Sequence, residues 1–433
     1  MSQPYDFIGI GIGPFNLSIA ALSRHIPNFH SLFLERSSRF SWHSGIMLPE
    51  CHMQTSFLKD LVSAVDPTNP FSFLNYLVKR KKFYRFLTTE QRTVSREEFG
   101  DYLAWAAQEL DSLRFGEEVM SVTFDEQEQL FKVSTTHHHY FARHICMGIG
   151  KQIKLPACVQ TQNDHCFHAA EMMLRHPDLT GKRVSIVGGG QSGADIFLNI
   201  FRSEWGRPKQ LNWISRRNNY HALDEAAFSN EYFTPEYVES FYSLRPEVKQ
   251  QMLKEQKMTS DGITSDSLLA IYQAMYHRFE VLRETPWAKL LPSRALLDMQ
   301  QHEDSYRLLT QHLLDHGNEY IDSDVVIFAT GYQPTAPAFL EPLATKLHTD
   351  QAGRYQMNPD FTLDWNGPAD HHLFAVNAGM FSHGIAEPQM SLMAWRSARI
   401  LNRVLGKDHF DLSLLPNVIK WRSEPVQAFS NAS

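Results

Sequence analysis

The chain contains two glycine-rich segments, and each lies between an apolar run and a helix-forming run. They are "DFIGIGIGPFNLSIAAL" (residues 6–22) and "GKRVSIVGGGQSGADIFLNI" (residues 181–200). A strand, a glycine-rich turn and a helix in this order begin a β-α-β unit, in which the helix N-terminus holds a pyrophosphate. The glycine spacing alone is weak evidence, but the strand before it and the helix after it provide the required context. The sequence therefore predicts an α/β chain with two Rossmann-like dinucleotide-binding domains.

The first turn carries Gly9, Gly11 and Gly13, and Pro14 stands where the last glycine of the usual pattern would be. Proline is tolerated in the first turn of a helix because no backbone N–H is needed there. Gly9 allows the tight turn, and Gly11 allows a pyrophosphate to come close. The next predicted strand, "SLFLER", ends at Glu35, which can accept a hydrogen bond from a ribose 2′-hydroxyl.

The second turn has the full spacing of Gly188, Gly190 and Gly193, with Gln191 and Ser192 between them. Here the next strand, "QLNWISRRNN", ends in Arg216 and Arg217 instead of an acid. Guanidinium groups suit the 2′-phosphate of NADPH, although either arginine alone could equally be a solvated surface charge. The difference between the two sites indicates FAD at the first turn and NADPH at the second.

Two other apolar strands run into glycine turns, "HICMGIGK" (residues 144–151) and "SDVVIFATGYQP" (residues 323–334). Strands of this kind link nucleotide-binding domains, and their glycines let the chain cross close to a cofactor. We therefore assign Thr330, Gly331 and Tyr332 to the cofactor-binding residues.

Composition excludes several classes of function. The formal charge of −7 and a pI near 6.3 argue against a nucleic-acid or anionic-membrane surface. No stretch has the length of a bilayer span and no leader is visible, so a cytoplasmic protein with a small-molecule partner is expected. The four cysteines form no metal or redox pair, and His137 to His139 fall between two strand-like runs, which indicates a hairpin turn. No metal site is predicted.

Further segments resemble those of one family, the flavin-dependent N-hydroxylating monooxygenases of siderophore biosynthesis. The resemblance runs over nearly the whole chain. It is carried by Gly9-x-Gly11-x-x-Pro14 with "NLS" after it, "FSWHSGIMLP" (40–49), "HMQTSFLKDLV" (52–62), "GGGQSGAD" (188–195), "DVVIFATGY" (324–332) and "HGIAEPQMSLMAWRSARI" (383–400).

The resemblance implies three structural parts. Residues 1–165 and 323–433 would form the FAD-binding domain, and residues 166–322 would form an inserted NADPH-binding domain with a helical substrate region at about 220–285. In the family, NADPH reduces FAD, O2 adds to give a C4a-hydroperoxyflavin, and a neutral primary amine takes the distal oxygen. Relatives are homo-oligomers, so a dimer or tetramer is expected.

The resemblance also assigns individual residues. Trp42 and His43 would pack along FAD, and Gln54 would lie by the flavin ring and the nicotinamide. Lys59 would pair with the substrate carboxylate, with Asn230 as a second substrate contact. Each has a structural alternative: a core aromatic and a structural histidine, a surface amide, a snorkelling lysine and a turn-capping asparagine. Ser382, His383 and Glu387 belong to a segment that approaches the flavin in relatives.

The third substrate position carries Ser260, where the ornithine-using relatives have asparagine. A weaker grip on the amino-acid end favours a diamine, cadaverine or the shorter putrescine, as the substrate, with L-lysine N6-hydroxylation as the alternative. More distant alternatives are a sulfur- or ketone-oxygenating flavin monooxygenase and a non-catalytic nucleotide-binding sensor. A flavin disulfide reductase would need a cysteine pair beside the flavin, and only Cys51 lies in that region.

Overall fold

The computed structural model describes residues 3–415 and 417–423. Its largest sheet, called here the N-terminal sheet, has seven strands in the order Leu113–Phe115, Ser31–Glu35, Tyr5–Ile10, His139–Met147, Leu130–Thr135 and Val119–Asp125, with Leu373–Ala375 also paired to His139–Met147. The strands from Leu113–Phe115 to His139–Met147 are parallel, and Leu373–Ala375 is parallel to the last of them. The carboxyl ends of these strands therefore meet at one edge.

Helices cover the N-terminal sheet and enclose one large apolar core. They are Pro14–Ser23, Phe73–Lys79, Phe83–Thr88, Arg96–Glu109 and Met393–Leu405, with short 3₁₀ turns at Ala338–Leu343 and Met390–Leu392. The short helix Met380–His383 packs on Pro235–Tyr242 and Pro246–Glu255, and the 3₁₀ turn Ser44–Ile46 packs on Ala169–Glu171 and Met172–Arg175. The start of the helix Arg96–Glu109 follows from its sequence, because Ser95 accepts a hydrogen bond from the Glu98 backbone N–H and two glutamates occupy the first turn. The helices Pro14–Ser23 and Met393–Leu405 pack against each other.

The second sheet, called here the middle sheet, has five parallel strands. Their order is Ala288–Leu291, Gln210–Ile214, Arg183–Val187, Val325–Phe328 and Cys166–His168. Ala169–Glu171, Met172–Arg175 and Gln191–Phe201 are helical and pack on this unit, and apolar residues lie on both of its faces. The parallel strands of the middle sheet and of the larger part of the N-terminal sheet confirm the predicted α/β class with two Rossmann-like domains.

A helical region follows the strand Gln210–Ile214. It contains Ala227–Asn230, Glu231–Phe233, Pro235–Tyr242, Pro246–Glu255, Lys257–Asp261, Ser265–Tyr276 and the π-helical turn His277–Val281. Thr234 and Thr264 cap two of these helices through their side-chain oxygens. An antiparallel sheet of Arg294–His302, Ser305–His312 and Asn318–Ser323 then leads back to the middle sheet.

The chain passes twice between the N-terminal sheet and the middle sheet, and the two connecting segments hydrogen-bond to each other. Gln152–Ile153 and Tyr332–Gln333 form a short antiparallel ribbon. The strand Cys166–His168, which begins at the predicted domain start, pairs with Val325–Phe328 in the middle sheet. The predicted boundary at residue 323 requires correction, because Val325–Phe328 hydrogen-bonds to Arg183–Val187 inside the middle sheet. A buried apolar strand gives no local sign of which sheet it joins.

Candidate active site

The first glycine turn lies at the carboxyl edge of the N-terminal sheet. Gly11 has φ of +86°, and a Cβ there would lie 2.7 Å from the Gly148 carbonyl oxygen. A Cβ on Gly9 would lie 2.2 Å from the Phe33 ring. Both glycines are therefore required by the fold itself. Gly13 precedes the helix in extended conformation, and the nearest atom to a Cβ there is 3.8 Å away, so this helix N-terminus has room for a phosphate.

Side chains on two neighbouring elements hold this turn. The Glu35 carboxylate accepts the backbone N–H groups of Ile12 at 3.0 Å and Ser37 at 2.9 Å, so it lies directly beside the turn. Buried Asn16 donates from Nδ2 to the carbonyl oxygens of Ile10 and Gly11. Asn16 was not among the predicted site residues, although its place in the "NLS" that follows Pro14 was a usable signal.

The second glycine turn follows the strand Arg183–Val187. A Cβ on Gly188, whose φ is +135°, would lie 2.1 Å from the Ala329 carbonyl oxygen, and one on Gly193 would lie 2.3 Å from the Gly188 carbonyl oxygen. A Cβ on Gly190 meets nothing within 4 Å. Gly190 caps the helix Gln191–Phe201, and half-buried Ser192 lies in its first turn. The open space of a phosphate cradle therefore lies at Gly190.

The two predicted phosphate-binding arginines differ in their surroundings. The Arg217 guanidinium donates to the carbonyl oxygens of Gly189 and Asp261, both at 3.0 Å, so it ties the glycine turn to the helical region. Arg216 is exposed and makes no hydrogen bond or ion pair within residues 3–415 and 417–423. Arg216 is thus the guanidinium that is free to meet a nucleotide phosphate.

Gln54 brings the N-terminal domain to the second glycine turn. Its Nε2 lies 3.4 Å from Oε1 of Gln191, which also accepts the Thr264 backbone N–H at 2.8 Å. Nε2 of Gln191 donates to Asp195 and Ser267. The predicted residues Gln54 and Gln191 therefore meet across the domain boundary, and the helical region joins them.

Beside this contact, Arg96 and Asp195 approach each other at 3.8 Å. Asp195 is buried, and burial raises the pKa of its carboxyl group while Arg96 opposes that rise. Burial also raises the pKa of the neighbouring Cys51 thiol to about 12, so this cysteine stays protonated. Sequence reasoning did not find Arg96, because nothing local distinguishes it from a surface arginine at a helix start.

Trp42 and His43 lie in the turn before Ser44–Ile46. The Trp42 ring packs on Phe99 with centroids 5.9 Å apart, and His43 is exposed with φ of +49°. Farther along, Tyr332 and His168 meet edge to face at 5.3 Å. Thr330 donates to the Lys154 carbonyl oxygen, while Gly331 has open space at its Cβ position.

The three predicted substrate residues have different freedom to bind. Lys59 is half-buried, burial lowers the pKa of its ammonium group, and it has no ion-pair partner in the described part of the chain. Asn230 is exposed and donates to the Glu225 carbonyl oxygen at 3.1 Å. The Ser260 hydroxyl contacts Lys257 and Asp261 of its own helix.

The segment after the strand Leu373–Ala375 is held by a buried ion pair. Glu387 accepts the backbone N–H groups of Asn377 at 2.6 Å and Gly379 at 3.0 Å. Fully buried Arg396 lies 3.6 Å from Glu387 and donates to its carbonyl oxygen. Because Val376 bonds to Met147, this segment lies at the same sheet edge as the first glycine turn.

Other features of the described residues limit the chemistry. The described cysteines are all unpaired, and no group of three metal-ligating side chains occurs within residues 3–415 and 417–423. His137 and His138 lie in the turn between two strands, where His138 contacts Glu117 at 2.7 Å. Among these residues, no helix combines the length and apolar character that a bilayer span requires.

Comparison with known proteins assigns the family. The model for L-lysine 6-monooxygenase/L-ornithine 5-monooxygenase matches residues 3–334. L-lysine N6-monooxygenase from Escherichia coli is 58% identical over 423 residues, which cover 98% of this chain and 100% of the relative. The chain belongs to this family. The resemblance that the motifs predicted, to the N-hydroxylating monooxygenases of siderophore biosynthesis, is therefore confirmed.

Two solved structures of similar enzymes share the fold of this family member. One is the FAD-bound cadaverine monooxygenase of desferrioxamine biosynthesis from Erwinia amylovora, with a TM-score of 0.91, 29% identity and coverage of 99% of this chain and 100% of that one. The other is an ornithine N-hydroxylase from Kutzneria sp. 744 with reduced FAD, NADP+ and L-ornithine, with a TM-score of 0.86, 27% identity and coverage of 93% and 99%. Enzymes with different amine substrates thus share this architecture.

Proposed function

We propose that this protein hydroxylates the terminal amine, N6, of L-lysine in hydroxamate siderophore biosynthesis, with FAD, NADPH and O2. The observation that carries the substrate assignment is Lys59, a half-buried cation without an ion-pair partner in the described residues. A buried charge is costly unless it is paired. The carboxylate of an amino-acid substrate supplies that pair, and a diamine does not.

The chain's own residues fit both nucleotides. Gly13, Pro14 and Glu35 would hold the FAD pyrophosphate and ribose, and the open helix N-terminus at Gly190 with Arg216 would hold NADPH. When bound, FAD reduced by NADPH supplies the oxygen-activating chemistry. The protein then has to orient the amine, exclude water and keep that amine neutral.

Keeping the amine neutral is the demanding task. A free alkylammonium has a pKa of about 10.4 and is therefore charged at neutral pH. A desolvated site lowers that value because burial disfavours the charged form. Burial acts on Lys59 in the same direction and lowers its pKa, and a substrate carboxylate beside it would oppose that effect.

We propose L-lysine as the substrate in place of the diamine that the sequence analysis favoured. That expectation rested on Ser260, whose hydroxyl contacts Lys257 and Asp261 of its own helix. The preference for lysine therefore comes from Lys59 and from an identity of 58% to a lysine N6-monooxygenase, against 29% to the cadaverine enzyme. Cadaverine remains the second candidate. It has the same chain length as lysine and lacks only the carboxylate that Lys59 would contact.

Substitution of Lys59 tests this proposal. We expect Lys59→Met to raise the KM for L-lysine at least about tenfold, because a charge-assisted hydrogen bond contributes about 1.5–3 kcal/mol. The KM for cadaverine should change by less than about twofold. Lys79→Met, an exposed lysine at the end of the helix Phe73–Lys79, is the matched control.

The assay follows hydroxylamine formed per NADPH oxidised with L-lysine, L-ornithine, cadaverine and putrescine. If NADPH oxidation gave mostly hydroxylamine with cadaverine and mostly peroxide with L-lysine, the diamine would be the substrate. Amine-independent NADPH oxidation without any hydroxylamine would favour a sulfur- or ketone-oxygenating enzyme. A protein that oxidises no NADPH at all would be a nucleotide-binding sensor.

The predicted homo-oligomer has a candidate contact face. Leu269, Tyr272 and Tyr276 share one face of the helix Ser265–Tyr276 and are 55%, 72% and 57% exposed. Exposed apolar stripes of this kind mark protein–protein contacts. We propose that a second copy of the chain covers this face. Sedimentation should give a dimer or tetramer that Tyr272→Glu dissociates, and a monomeric wild type would contradict the assignment.

A further inference from the structure

A cavity of about 220 Å³ lies between the helical region and the C-terminal helix. Its walls come from three helices, Pro235–Tyr242, Met380–His383 and Met393–Leu405, and from the single residues Ser243, Pro359 and Arg422. None of the predicted nucleotide or substrate residues lines it. The cavity is large enough for a small organic molecule and not only for a single water.

Positive charge dominates the walls of this cavity. Arg399 pairs with Glu239 at 2.6 Å, and Arg422 donates to the Glu239 backbone carbonyl oxygen at 2.6 Å. Lys249 lies behind this wall, with its ammonium 4.8 Å from the centre of the Tyr242 ring that lines the cavity. Among the described residues the cavity wall thus carries two guanidinium groups and the one carboxylate of Glu239, and each guanidinium retains N–H groups for a further acceptor.

The same cavity holds a buried polar atom that the protein leaves unsatisfied. His383 is 1% exposed and lines the cavity, with its ring stacked on Phe361 at 4.3 Å. Its Nδ1 is 2.8 Å from the Ser382 hydroxyl, and the ring also interacts with the Pro359 backbone, but Nε2 makes no hydrogen bond of good geometry within the described residues. Buried polar atoms without partners are rare and need an explanation, such as a bound group.

An apolar wall completes the cavity. Trp395 and Val238 line it, and the Arg399 guanidinium lies 5.3 Å from the centre of the Trp395 ring. A ligand for these walls therefore needs anionic ends and a short carbon body. Inorganic anions satisfy only the first requirement.

We propose that this cavity is a second binding site, for a small organic dicarboxylate. Arg399 and Arg422 meet its carboxylates, Trp395 and Val238 contact its carbon chain, and Nε2 of His383 makes a further hydrogen bond. Bound there, the ligand touches both the helix that follows Asn230 and the segment that contains Glu387. The assignment does not depend on which amine the enzyme hydroxylates.

Titration calorimetry of the FAD-loaded protein with succinate tests the site, in carboxylate-free buffer at constant ionic strength. We expect saturable binding of one succinate per chain. Arg399→Gln and Arg422→Gln should each weaken that binding at least about tenfold, since each removes a charge-assisted contact. Arg403→Gln is the matched control: it lies one turn farther along the same helix and pairs with Asp360 at 3.1 Å outside the cavity.

Several outcomes would overturn the proposal. These are the absence of saturable binding, unchanged binding in both arginine variants, and equal binding of inorganic phosphate. Displacement of succinate by L-lysine or NADP+ would place the anion in the active site and would also overturn it. Hydroxylation of L-lysine is measured separately in each variant, so a failure of the proposed function is distinguishable from a failure of this site.

Discussion

Adjacent arginines at the end of one strand have different physical roles. Arg217 donates to two backbone carbonyl oxygens, so its guanidinium holds the second glycine turn against the helical region. Arg216, one residue before it, is exposed and makes no hydrogen bond or ion pair in the described residues. One strand end therefore supplies both a structural arginine and an arginine whose cation has no partner in the described residues. The residue type is the same, so the sequence alone does not distinguish the two roles.

This difference predicts how the two arginines contribute to coenzyme choice. We expect Arg216→Ala to lower the preference for NADPH over NADH about tenfold, because it removes a charge-assisted contact to the 2′-phosphate. Arg217→Ala should impair both coenzymes alike by loosening the turn. Values of kcat/KM for each coenzyme test this. A selective loss of NADPH use in Arg217→Ala alone would reverse the two roles.

At the scale of the element, the two glycine turns use the same residue for different reasons. Gly9, Gly11, Gly188 and Gly193 are glycines because neighbouring atoms or a positive φ leave no place for a Cβ. Gly190 has open space and φ of −109°, which any residue can adopt. The fold therefore does not require a glycine here, and we propose that the absent side chain leaves room for the nucleotide.

Gly190→Val therefore tests nucleotide binding without disturbing the fold. We expect a stable yellow protein whose flavin is reduced by NADPH at least about a hundredfold more slowly, because the branched side chain occupies the phosphate cradle. Dithionite should still reduce the flavin. Gly188→Val is the contrasting variant and should fail to fold, since its Cβ would lie 2.1 Å from the Ala329 carbonyl oxygen. Normal reduction of Gly190→Val by NADPH would place the nucleotide elsewhere.

At the scale of the whole molecule, the domains meet through an apolar contact that includes Ile46 and Leu48 and through polar contacts between distant parts of the chain. Arg96 and Gln54 come from the N-terminal domain, and Asp195 and Gln191 come from the helix after the second glycine turn. The Asp195 side chain is only 7% exposed, so its charge depends on Arg96. This contact holds the second turn against the part of the chain that carries Gln54.

Removal of Arg96 should therefore destabilise the protein in a pH-dependent way. Without the cation, the pKa of Asp195, already raised by burial, rises further. A carboxyl group whose pKa is higher in the folded state loses stabilising effect as the pH rises through that value. We expect Arg96→Met to lower the free energy of unfolding by about 1–3 kcal/mol at pH 8 and by less at pH 5.5.

Urea unfolding at both pH values measures this effect, and Asp195→Asn provides the control. In the Asp195→Asn background, Arg96→Met should lower the free energy of unfolding by the same amount at pH 5.5 and pH 8, because the titrating carboxyl group is absent. A pH-independent loss in the single Arg96→Met variant would mean that Asp195 is not the group that senses this arginine.

Three features could be predicted without the structure: the two β-α-β units, the place of Pro14 in the first helical turn and the family of the enzyme. Each of these depends on neighbours a few residues apart, such as the glycine spacing before each helix and the short motifs that indicate the family. Tertiary structure alone decided that Val325–Phe328 joins the middle sheet, that Arg96 meets Asp195 and that Lys59 lacks an ion-pair partner in the described residues. The first two are contacts between residues more than twenty positions apart in the chain, and the third is the lack of such a contact. Local propensity does not encode them, because they depend on which distant surfaces the packed core brings together.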